Sequence, residues 1–135
     1  MPKKYSILGC IIALTLTFIG CDFFGPGMAD FNYDLPGGYS MFHAGGDNFI
    51  NKDSVKAIEG NVNGIAWNND FILVRQIQNN KTNYWIVDVQ APKLYGPLDE
   101  KDFTSRRTEL KVDNSLKLEA PEKYKSLEKK LEVNS

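Results

Sequence analysis

His43 is the only histidine in the chain, and Ser40 stands three residues before it. A histidine base needs a nucleophile beside it and a third group to orient it. No Gly-x-Ser-x-Gly elbow surrounds Ser40, so this pair lacks the frame of a hydrolase nucleophile. A lone histidine in a strand reads as structural. Asp47, Asn51 and Asp53 have the look of a calcium loop, but the oxygen spacing fails. Phe49 holds the third position and no glycine holds the sixth. His-Glu-x-x-His and the glycine-rich phosphate loops are absent from the sequence. Asn80-Lys81-Thr82 matches a glycosylation acceptor and reads as a plain turn. No catalytic, cofactor-binding or metal residue is therefore assigned.

The remaining reactive group is Cys21. From Tyr5 to Cys21 the chain carries no charge, and Lys3 and Lys4 precede that run. The apolar stretch has the length of a signal peptide, ends at Asp22 and has no basic stop-transfer cluster behind it. Phe18-Ile19-Gly20-Cys21 resembles the lipobox of bacterial lipoproteins. Ile7-Leu8-Gly9-Cys10 fits the same pattern but leaves no apolar segment between itself and the lysines. The resemblance implies lipidation of Cys21 as the mature N-terminus, with stable anchoring by two or more acyl chains. A plain signal peptide or an uncleaved anchor is the other reading. Asp22 resembles the inner-membrane retention signal of some Gram-negative lipoproteins, and is otherwise a polar tether residue. The lipid anchor puts the expected location at the outer face of the cytoplasmic membrane.

The whole chain has 135 residues, net charge −1, 42% hydrophobic and 24% charged residues. Loss of residues 1–20 leaves 115 residues with 14 basic and 17 acidic side chains, net −3. That supports one core. The mild acidity argues against a nucleic-acid partner. Cys10 lies in the leader and Cys21 takes the lipid, so the mature body has no thiol for a disulfide or a cysteine zinc site.

Behind a tether over 21–30, the pattern predicts an α+β domain over 31–135. Its expected parts are a small antiparallel β-meander followed by one or two C-terminal helices. Tyr33–Tyr39 reads as a turn-rich lead-in. Tyr39–His43 and Phe49-Ile50 read as strands about a Gly45-Gly46-Asp47 turn, and Lys52–Ile58 is open between strand and helical turn. Val62–Trp67, Asp70–Gln78 and Asn83–Gln90 are apolar-rich runs separated by asparagine turns. A two-residue loop at Asn68-Asn69 pairs Trp67 with Asp70 and Ile65 with Ile72. A four-residue loop at Asn79–Thr82 pairs Gln76 with Trp85 and Val74 with Val87. One face then carries Ile65, Trp67, Ile72, Val74, Trp85, Val87 and Val89 and is the predicted core. The other carries Phe71, Leu73, Arg75, Ile77, Tyr84, Ile86 and Asp88 and reads as mixed, with an Arg75–Asp88 cross-strand ion pair. Asp99 is placed to cap a helix bearing Phe103 and Leu110, with acids in its first turn and arginines toward its end. Pro121 opens a last helix with an apolar stripe of Tyr124, Leu127 and Leu131.

Tyr33-Asp34-Leu35-Pro36-Gly37-Gly38-Tyr39, Ile65-Ala66-Trp67-Asn68, Phe71-Ile72-Leu73, Tyr84-Trp85-Ile86-Val87-Asp88 and Tyr95-Gly96-Pro97-Leu98 follow one another behind the lipobox. That succession is similar to a small bacterial lipoprotein family, domain of unknown function 3997. The resemblance implies a secreted, lipid-anchored, single-domain protein and carries no catalytic residues.

The expected function is a non-enzymatic binding or interaction module at the cell envelope. It is held to the membrane through lipid on Cys21 and meets a protein or an envelope component. Tyr33, Tyr39, Phe42 and Tyr95 are the candidate interaction surface, since tyrosine and tryptophan dominate interface anchors. Trp67 and Trp85 fall on the core face. The alternative is a carboxylate-dependent hydrolase of an envelope polymer using, for example, Asp34 with Asp47. That needs two acidic groups in one cleft, roughly 5 to 9.5 Å apart for glycoside cleavage.

Overall fold

The structure, a computed structural model, describes residues 30–128. Cys21 with its leader, the tether up to residue 29, and Leu131 lie outside the described residues. The fold is α+β. Eight strands run in order: β1 (Phe31–Asp34), β2 (Tyr39–Ala44), β3 (Asp47–Lys52), β4 (Val55–Ile58), β5 (Val62–Trp67), β6 (Phe71–Gln78), β7 (Lys81–Asp88) and β8 (Lys93–Leu98). A helix α1 (Glu100–Glu109) and a 3₁₀ strap (Pro121–Leu127) follow. The strands form two antiparallel four-stranded meanders, β1–β4 and β5–β8.

Strand alternation puts Tyr33, Tyr39, Met41, Ile50 and Ile58 on the inner face of the first sheet. Val62, Ile65, Ile72, Val74 and Val87 come from the second sheet, and both sets share one core with Trp67, Trp85 and Val89 at its margin. Each fully buried aliphatic of this kind contributes about 1.5–3 kcal/mol. The predicted core face of the second sheet is thus the observed one. Its other face is buried too. Ala66, Leu73 and Ile86 pack under Phe103 and Val112, and the Tyr84 and Phe103 rings stack at 4.6 Å. The expected mixed surface is therefore a second core.

The sheet of β1–β4 was partly hidden in the sequence. The lead-in at Tyr33 is strand β1, joined to β2 through a 3₁₀ turn at Pro36–Gly38. The open segment Lys52–Ile58 is a turn at Asp53-Ser54, both with positive φ, followed by β4.

Both hairpin registers also differ from expectation. Asn68 Oδ1 accepts from the amides of Asp70 and Phe71, each at 2.8 Å. This moves the bend to Asn69-Asp70, so Trp67 faces Ile72 and Ile65 faces Val74. Asn79 and Asn80 both adopt positive φ, 53° and 60°, as a two-residue hairpin turn requires. Gln78 then faces Lys81 and Val74 faces Trp85.

The Arg75–Asp88 pair does not form. Arg75 lies opposite Tyr84 and Asp88 opposite Phe71. Arg75 Nε instead donates to Asn63 Oδ1 at 2.9 Å.

Asp99 caps α1, its carboxylate accepting from the Asp102 amide at 2.7 Å. The last segment is a seven-residue 3₁₀ strap rather than an α-helix. Its three-residue repeat aligns Pro121, Tyr124 and Leu127. Pro121 is buried and Tyr124 packs on Trp67 at 4.7 Å, while Leu127 is exposed. So short a segment takes the period its docking demands.

Candidate functional site

Three turns from both sheets meet at one end of the molecule. The Gly45-Gly46 turn leads into Asp47 and Asn48, the β4–β5 link delivers Asn61 and the start of β5 Asn63, and the β6–β7 hairpin delivers Ile77, Asn79 and Asn80. Between them lies a cleft of about 490 Å³, wide open to solvent.

Asp47 ties the turns together. Its Oδ1 accepts from its neighbour's amide, Asn48, at 2.8 Å and from the Asn61 amide at 2.7 Å. Gly60 packs against the same carboxylate at φ +51°, and a Cβ there would sit 2.7 Å from Asp47 Oδ2. Only glycine fits that approach at that angle. The Asn61 carbonyl accepts from the Ile77 amide at 3.0 Å, joining the link to β6. Behind it, the buried Gln76 carboxamide donates to the carbonyls of Glu59 and Gly60.

Asn48 and Asn63 are already engaged. Asn48 Nδ2 donates to the Val62 carbonyl and to Glu122 Oε1, both at 3.0 Å, and its Oδ1 lies 2.7 Å from His43 Nδ1. The Asn48 bond, with smaller help from a backbone hydrogen bond at Glu122 and from His43, holds the Glu122 carboxyl below its ordinary value. The side chains of Asn61, Asn79 and Asn80 have no hydrogen-bond partner among the described residues and stand exposed around Ile77, itself 45% exposed. No cluster of metal-ligating side chains occurs among the described residues.

The residues singled out in the sequence are dispersed. Tyr33 and Tyr39 are 1% and 5% exposed and belong to the core. They correct the expectation of a shared aromatic surface, because odd positions of β1 and β2 face inward. Phe42 is on the outer face, stacked on Phe49 at 5.6 Å with Lys56 Nζ 4.4 Å from the Phe49 ring. Tyr95 lies in the other sheet, with Lys93 and Arg106 each 4.9 Å from its ring. His43 stacks on Phe31 at 4.8 Å and points away from Ser40, which alternation places on the opposite face of β2.

Asp34 faces Ser40 and Asp47 faces Ala44. Four residues along β2 and two strand spacings across it separate them by about 16 Å. They do not converge as a glycosidase pair would.

The cleft was missed in the sequence because each asparagine reads locally as a turn residue. The signal available was the density of asparagine in and beside three turns, at Asn48, Asn61 with Asn63, and Asn79 with Asn80.

No curated protein and no solved structure matches the chain. The family model described as protein of unknown function (DUF3997) matches residues 36–127, a span that contains every residue of the cleft. On that match, this chain belongs to the DUF3997 family.

Proposed function

We propose that this protein is an exported lipoprotein, anchored by lipid on Cys21 to the outer face of the cytoplasmic membrane, and that it acts there as a non-enzymatic binding module. The observation that carries the binding role is the cleft whose turns Asp47 and Gln76 lock together, with three amides unengaged at its mouth. A site held in shape before binding loses little conformational freedom when it is filled. The lipobox supports the anchoring, ten residues ahead of β1. Anchoring raises the effective concentration of a weak binder near envelope partners.

The test uses the full chain in bacterial cells fed labelled palmitate. The label is expected in the wild-type protein and lost in Cys21→Ala. In the same cells a photoreactive residue at position 80 should capture an envelope component. The same group at the exposed Lys101 of α1 should not. An unlabelled wild-type chain would remove the anchor from this reading, and equal capture from both positions would remove the cleft.

A further inference from the structure

The chemistry of the cleft narrows its ligand. None of the eight residues lining it is a lysine, arginine or histidine, and the neighbouring Arg75 guanidinium is engaged by the Asn63 side chain and carbonyl, so no lining side chain carries a positive charge for an anion. The single carboxylate, Asp47, already accepts two backbone amides on Oδ1 and lies against Gly60 on Oδ2. A cation would meet one engaged group. What remains is neutral and polar: the carboxamides of Asn61, Asn79 and Asn80, each with donors and acceptors on one planar head.

Position 80 is informative. Glycine is the favoured residue at the second site of such a turn. Asparagine keeps an amide at the cleft mouth in the same positive-φ backbone. Ile77 adds an aliphatic contact amid these amides. Protein interfaces are anchored by tryptophan, tyrosine and arginine, and none of these lines the cleft.

From this we infer that the cleft binds a neutral glycan bearing acetamido groups. The acetamido C=O and N–H pair with the asparagine carboxamides, and its methyl or a sugar C–H face rests on Ile77. The inference rests on the reading of this cleft as the binding site.

The experiment titrates the full-length chain in detergent micelles with chitotetraose, a β-1,4 N-acetylglucosamine tetramer, and follows backbone amides by NMR. Cellotetraose, which lacks the acetamido groups, is the control. Saturable shifts are expected at Asn61, Ile77, Asn79 and Asn80. Cellotetraose should bind about tenfold more weakly, the loss expected for one or two missing hydrogen bonds. The double variant Asn79→Gly with Asn80→Gly keeps the turn and removes both amides, and should lose affinity by at least about tenfold. Asn80→Asp, which also tolerates positive φ, gives a second removal of the donor.

Three results overturn the inference: no saturable shift with chitotetraose, equal binding of both oligosaccharides, or unchanged affinity in the glycine double variant with an otherwise native spectrum. Capture of a protein from position 80 together with no chitotetraose shift would leave the binding-module reading standing and remove the glycan.

Discussion

The indole Nε1 of Trp85 donates to the carboxamide oxygen of Gln76 at 3.0 Å, while the nitrogen of that carboxamide bonds the carbonyls of Glu59 and Gly60. Gln76 is 1% exposed. One buried amide thus fastens the inner face of the second sheet to the link that forms one wall of the cleft. A buried polar group in a core is tolerated only when its partners are complete.

Gln76→Leu should therefore be costly, although the two side chains are close in volume. It breaks half-buried hydrogen bonds of the Trp85 N–H and of two backbone carbonyls, and puts an apolar side chain in place of their partner. The loss should be about 2–4 kcal/mol, read as a lower urea midpoint. Faster hydrogen exchange at Asn61 and Ile77 should accompany it, since the link loses its inner support. Unchanged exchange at those two amides would detach Gln76 from the shape of the cleft.

Tyr33 offers a second test, at the other margin of the core. Its hydroxyl donates to the Pro121 carbonyl at 3.0 Å, tying β1 to the 3₁₀ strap. Tyr33→Phe should cost about 1–2 kcal/mol, because the carbonyl is left without its donor. Burial, with smaller contributions from Tyr124 and Glu122, pushes the Tyr33 hydroxyl well above its ordinary value of 10.0. In the unfolded chain this phenol ionises first as pH rises, so the stability held below pH 10 is lost above it. The alkaline decline in urea midpoint should be shallower in Tyr33→Phe than in wild type.

Much of the second sheet was legible before its structure, for a reason visible in its register. Both hairpins differ from the loop-length expectation by two residues, and two is the repeat of a strand. Trp67, Val74 and Trp85 therefore keep their faces although none keeps its partner. The first sheet was harder to read because β1 and β4 are four residues each and carry mixed side chains. The burial of Leu73 and Ile86 depends on α1 and Val112, far along the chain, which no local pattern encodes. The cleft was illegible for the same reason: its shape depends on the Asp47 carboxylate reaching the Asn61 amide across two strands.

Gly96 tests how closely β8 lies on its neighbour. It adopts φ +147°, and a Cβ there would stand 2.7 Å from Trp85 Cδ2. The indole cannot yield freely, because its N–H is held by Gln76. Gly96→Ala should cost about 1–3 kcal/mol from overpacking, with strain at that φ added to it. A native-like urea midpoint would mean that Trp85 has room to shift.

Glu122 tests the strap at acid pH. Its carboxylate accepts from Asn48 Nδ2 at 3.0 Å, and Asn48 in turn meets His43. The Asn48 bond foremost, then a backbone hydrogen bond at Glu122 and last the nearby His43, outweigh the opposing effect of partial burial and lower the Glu122 carboxyl from its ordinary value of 4.5. The folded state thus holds the charged form that the unfolded state gives up first. Its contribution is present above pH 4.5 and is lost as pH falls below that value. Glu122→Gln keeps an acceptor for Asn48 and removes the titration. At neutral pH the variant should lie slightly below wild type in urea midpoint, because a charged acceptor makes the stronger bond. Below pH 4.5 the two midpoints should converge, and a gap that stays constant across that range would show that the charge of Glu122 does not hold the strap.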